Sequence, residues 1–82
     1  MTPENLQELD EMTRRQLAGY TECAKEWIDV LHNSVVRTTL TREQIAMCEY
    51  QVSSSRMLAS NINRMREALG LEKITLEKYM AF

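Results

Sequence analysis

The sequence predicts an all-α fold: an antiparallel hairpin of two long amphipathic helices plus a short C-terminal helix, the hairpins pairing into a dimeric four-helix-type bundle. Three observations predict it. Apolar residues recur at steps of three and four along two stretches of similar length. Capping residues bracket each stretch. Two glycines and one proline among 82 residues leave little material for turns.

The first helix is expected over residues 3–32 of a single domain that spans 1–82. Thr2 as N-cap, Pro3 at the first helical position and Glu4 beside the positive end of the helix dipole mark its start. Leu6, Leu9, Thr13, Leu17, Tyr20, Ala24, Trp27 and Leu31 form the apolar stripe, which Met12, Cys23 and Val30 widen. Glu8, Glu11, Arg15, Glu22, Glu26 and Asp29 take the opposite face. Asp10 with Arg14 and Glu11 with Arg15 have the favourable i, i+4 order. Gly19 costs the helix up to about 1 kcal/mol relative to alanine, so it is read as marking a close backbone approach.

Residues 33–40 are read as the connection. Asn33 suits a left-handed C-cap, and the β-branched run from Ser34 to Thr39 carries no helical stripe. The second helix is expected over 41–69. Thr41 and Gln44 form a capping box inside a Leu40–Ile45 staple, and Gly70 at the far end suits a Schellman motif with Leu71 packed on Met65. Its stripe runs Ile45, Cys48, Val52, Ser55, Ala59, Ile62, Met65 and Leu69, with small residues in the middle. In an antiparallel pair, facing residues should then have numbers summing to about 72, large side chains of the first helix meeting small ones of the second. A short helix over 76–81 is expected from Thr75 as N-cap between Ile74 and Tyr79, its apolar side covering Leu6 and Leu9 of this chain or of a second one.

The second helix is apolar over more than one stripe, since Met47, Tyr50, Met57, Leu58 and Ala68 extend the arc beyond what one neighbour covers. A chain this short also has a thin stability margin, so a homodimer is expected. Met47, Tyr50 and Met57, flanked by Asn61 and Arg64, are the candidate partner or dimer surface, because methionine-rich patches adapt to proteins.

A net charge of −2 argues against phosphate binding as the main task, and Arg56, Arg64 and Arg66 read as a solvated face. No stretch approaches a membrane span and the acidic start does not resemble a signal peptide, so a cytoplasmic location is expected. Cys23 and Cys48 are too few for a zinc site; with a sum of 71 they are a candidate redox pair on facing helices. His32 falls in the last turn of the first helix, where a positive charge suits the dipole. Serines 53 to 55 lack a general base at a convincing spacing, and no phosphate-cradling loop is present, so no enzyme, cofactor or metal is expected. The residues point to a non-catalytic protein-interaction module, a small regulator or inhibitor of the kind that phages also encode, binding another protein through a helix face. The alternatives are a binder of a small anionic ligand such as a nucleotide at a subunit boundary, held by Arg or Lys and a tyrosine, and weak nucleic-acid binding by Arg56, Arg64 and Arg66.

Overall fold

A computed structural model describes residues 2–80. Three helices form the frame: α1 (Pro3–His32), α2 (Ser34–Thr39) and α3 (Arg42–Ala68), followed by an irregular tail and a 3-10 turn at Lys78–Met80. No strand occurs among the described residues. The caps explain where the long helices begin and end. Thr2 Oγ1 accepts from Asn5 N at 3.2 Å, ahead of Pro3 in the first turn. Thr41 and Gln44 exchange both capping-box hydrogen bonds, at 2.9 and 3.1 Å. At the other end of α3, Gly70 adopts φ 82°, where a Cβ would be strained. Leu71 N then donates to Arg66 O at 2.8 Å and Gly70 N to Glu67 O at 3.0 Å, the paired bonds of a Schellman motif.

The connection differs from the expected one. Its β-branched run is helical, because Asn33 is extended (φ −81°, ψ 104°) and caps α2 rather than closing α1 in the left-handed region. The Asn33 side chain accepts from Val35 N and Val36 N at 3.1 and 3.2 Å, and the hydroxyls of Thr38 and Thr39 donate back to carbonyls one turn earlier at 2.7 Å. Local hydrogen bonding, rather than an apolar stripe, holds this turn of helix, and none of its residues is buried.

The long helices pack antiparallel over most of their length. Asp10 lies on Arg66, and Trp27 shares a surface depression with Cys48, so facing numbers sum to 76 and 75. That is one step of the stripe beyond the expected register. Large still meets small: Leu17 packs with Ala59 and Ile62.

The tail is the second departure. Residues 71–77 have no regular structure, and the only helical turn of the tail among the described residues is the 3-10 turn at Lys78–Met80. Residues 81 and 82 of the expected tail pattern lie outside the described residues. The tail runs back along α3 in cis, over the middle of the hairpin rather than over Leu6 and Leu9. Met80 is fully buried against Leu17, Ala24, Ala59 and Ile62, with Tyr20, Ile74, Leu76 and Tyr79 around it. Gly19 is exposed, and a Cβ there would meet nothing within 4 Å, so no close backbone approach explains it.

Candidate functional site

The largest fully buried side chain among the described residues is a charged one. Arg66 is 1% exposed and joins all three layers of the fold. Its Nη1 lies 2.7 Å from the Asp10 carboxylate and donates to Thr13 Oγ1 at 2.8 Å, while its Nε donates to the carbonyl of Glu72 in the tail at 2.9 Å. Thr13 is itself fully buried, and its hydroxyl donates to Leu9 O at 2.7 Å. The hydrogen bond from Arg66, seconded by Arg14 at 3.0 Å, holds the Asp10 carboxyl below its ordinary range against the opposing effect of desolvation. Two more side chains of α3 read the tail. Asn63 donates to Ile74 O and accepts from Ile74 N, both at 2.9 Å, as a neighbouring strand would. Arg56 Nε donates to Tyr79 O at 2.6 Å.

These contacts dissolve the arginine cluster that a nucleic-acid track would need. Arg66 is buried and Arg56 is half-buried and engaged, which leaves Arg64 alone in solvent. No spacing rule in the sequence separates the three. What separates them is that Asp10, Thr13 and the tail backbone converge on Arg66.

The exposed apolar residues gather elsewhere. Met47 is 66% exposed, Tyr50 68% and Met57 53%, with Asn61 and Arg64 exposed among them. At about 100° per residue these positions lie on the side of α3 turned away from Cys48, Val52, Ser55, Ala59 and Ile62, which are buried. Leu58 and Met65 extend the patch along one flank. Thus α3 carries two apolar seams, an inner one covered by α1 and the tail and an outer one open to solvent. Trp27 is only half-buried: with Leu40, Gln44, Met47 and Cys48 it lines an apolar depression that continues the open side onto α1.

His32, Glu49, Ser53 and Arg56 line a second, polar depression that sequence spacing does not reveal. Among the described residues no hydrogen bond links Ser53, His32 and Glu49, so no nucleophile–base pair is formed there. Cys48 is buried and Cys23 half-buried, and both thiols are free. With facing sums near 75, Cys23 is level with Val52, and Cys48 lies four to five residues, about 7 Å, further along the axis. That offset sets the two members of the candidate redox pair at different heights on the facing helices, which disfavours a strain-free bridge between them. Among the described residues no three His, Cys, Asp or Glu side chains gather to hold a metal, and no helix is long and apolar enough to cross a membrane.

With that geometry in hand, comparison with known protein families, with characterised protein sequences and with solved structures finds no match in any of the three.

Proposed function

We propose that this chain is a non-catalytic protein-interaction module, a small regulator or inhibitor whose working surface is the outer seam of α3. The observation that carries the reading is the exposure of Met47, Tyr50 and Met57 at helical spacing on a helix whose other face is already packed. Flexible thioethers around one aromatic ring, edged by Asn61 and Arg64, have the make-up of a docking surface: an adaptable apolar centre with polar groups at the rim. The test is a comparison of partner capture by the parent chain and by a Met47→Ser, Tyr50→Ala double variant. Both positions are largely exposed, so the fold is expected to survive. Proteins retained by the parent and lost by the variant support the reading. Identical capture by both would place the working surface elsewhere.

A second reading, a small anionic ligand such as a nucleotide, draws on one observation. Arg64 and Lys73 line a common depression with Ser60, Asn63 and Leu76 where the tail crosses α3. Lys73 already pairs with Glu67 at 3.4 Å, which weakens it. A discrete thermal shift on adding a nucleotide would favour this reading over the first.

A further inference from the structure

The outer seam of α3 is self-complementary, and we propose that its occupant is a second copy of this chain, packed antiparallel, α3 on α3, about a two-fold axis at Met57. The proposal rests on the docking reading above in taking this face as an interface; it makes a second copy the first occupant, so that another protein would bind here only by displacing it.

In an antiparallel pair related by a two-fold axis, facing residues have a constant sum, and an axis at Met57 pairs residues equidistant from it. Met57 then meets its own copy. Tyr50 and Arg64 are both seven residues from Met57, so the ring of one copy faces the guanidinium of the other, a cation–π arrangement. Ala46 and Ala68, both eleven residues away, let the helix ends approach closely. Asn61 faces Ser53, amide to hydroxyl, and Met47 comes beside Met65 on the same flank. Moving the axis one turn to Asn61 sets Arg64 against Leu58 and Tyr50 against Glu72, and the pairing of types is lost. The tail is held by Arg56, Asn63 and Arg66 further round the helix and borders this face at Arg64, which shares a depression with Lys73 and Leu76.

Surface area argues for the same occupant. The chain exposes 6123 Å², whereas a compact monomer of 9.6 kDa exposes about 5,100 Å². Pairing along α3, 27 residues or about 40 Å long, would cover part of that excess. A second copy also supplies what the single chain lacks, since Leu17, Val52, Ile62 and Met80 are its only large buried hydrophobic side chains among the described residues.

Light scattering of the parent chain and of Met57→Asp at micromolar concentration tests the pairing. The parent is expected at twice 9.6 kDa. Met57→Asp sets two carboxylates against each other at the axis and should weaken association at least about a hundredfold, giving the monomer mass with α-helical circular dichroism retained. A second variant keeps the proposal testable if that one unfolds. Met57→Cys, in a background with Cys23→Ser and Cys48→Ala, should cross-link to a dimer with a bis-maleimide of about 10 Å reach, the spacing of packed helices. Ala18→Cys, exposed on α1, should not. A parent that stays monomeric at all concentrations, a Met57→Asp chain that stays dimeric, or equal cross-linking at positions 57 and 18 overturns the proposal. In the monomeric case partner capture that depends on Tyr50 would leave the docking reading standing, so the two failures are distinguishable.

Discussion

Arg66 reaches Asp10 across 56 residues of sequence, with its Nη1 2.7 Å from the carboxylate and its side chain 1% exposed. One guanidinium thereby ties α3 to α1 through Asp10 and Thr13, and to the tail through Glu72 O. Hydrogen bonds satisfy the charge where water cannot, which is the condition under which a buried arginine is tolerated.

Removing that guanidinium leaves acceptors on α1 and in the tail without their donor. Arg66→Ala is expected to destabilise the chain by about 1–3 kcal/mol, the cost of leaving the buried Thr13 hydroxyl and the tail carbonyl without their donor. Denaturant melts of the parent and variant measure it. A loss below about 1 kcal/mol, the range of exposed pairs, would show that the network is not a stabilising centre.

The same network makes stability depend on pH. Asp10 has a folded-state pKa below its unfolded value, chiefly because Arg66 donates to it, with Arg14 contributing. A depressed carboxyl stabilises the fold above its unfolded pKa, and this contribution is lost as pH falls through the folded one. Asp10→Asn should therefore flatten the acid limb of a plot of melting temperature against pH, lowering the neutral plateau while changing the low-pH end little. Parallel curves for the two chains would contradict the assignment.

Asn63 is 7% exposed and spends both ends of its amide on Ile74. Asn63→Ala should cost about 1–3 kcal/mol, since a buried backbone donor and acceptor lose their partner. The more specific readout is hydrogen exchange. The Ile74 amide, which donates to Asn63 Oδ1, should be protected in the parent and exchange quickly in the variant. Unchanged protection would mean that the tail is held by its apolar contacts alone.

The two glycines should respond to alanine with opposite signs. Gly19→Ala enters a helix with nothing within 4 Å of the new Cβ and should stabilise by about 0.5–1 kcal/mol. Gly70→Ala also meets open space, yet its φ of 82° is strained for any Cβ-bearing residue and should destabilise by about 1–2 kcal/mol. Paired thermal melts check both signs.

The thiols should differ in reach. Alkylation of the native chain is expected to label half-buried Cys23 well before Cys48, which is 5% exposed. Under mild oxidation no bond between the two should form within one chain, because the register separates them by about a turn. An intrachain bridge seen by mass spectrometry would restore the lower facing sum and refute the register described above.

Much of this fold is local and was therefore legible in the residues. Thr2, Thr41, Gln44 and Gly70 fix the ends of the long helices through bonds that span at most five residues, and the apolar steps of three and four fix which sides turn inward. The exposed patch of Met47, Tyr50, Met57, Asn61 and Arg64 followed from the same periodicity, since it lies where one neighbouring helix cannot reach. Asn33 takes the C-cap place of α1 expected of it, but with an extended rather than a left-handed backbone, and its side chain also opens α2, which no spacing in the residues signals.

What the sequence by itself determined, then, is the two helices, their caps and the apolar sides available for packing. Tertiary structure alone decided the register, the path of the tail and the fate of the arginines. The reason is energetic: an arginine prefers water unless a carboxylate and several acceptors meet it in the interior. Whether they do depends on Asp10, Thr13 and Glu72, brought to Arg66 from distant parts of the chain. Once they meet there, the Arg66 side chain is held between α1, α3 and the tail, whose backbone α3 also bonds through Asn63 and Arg56.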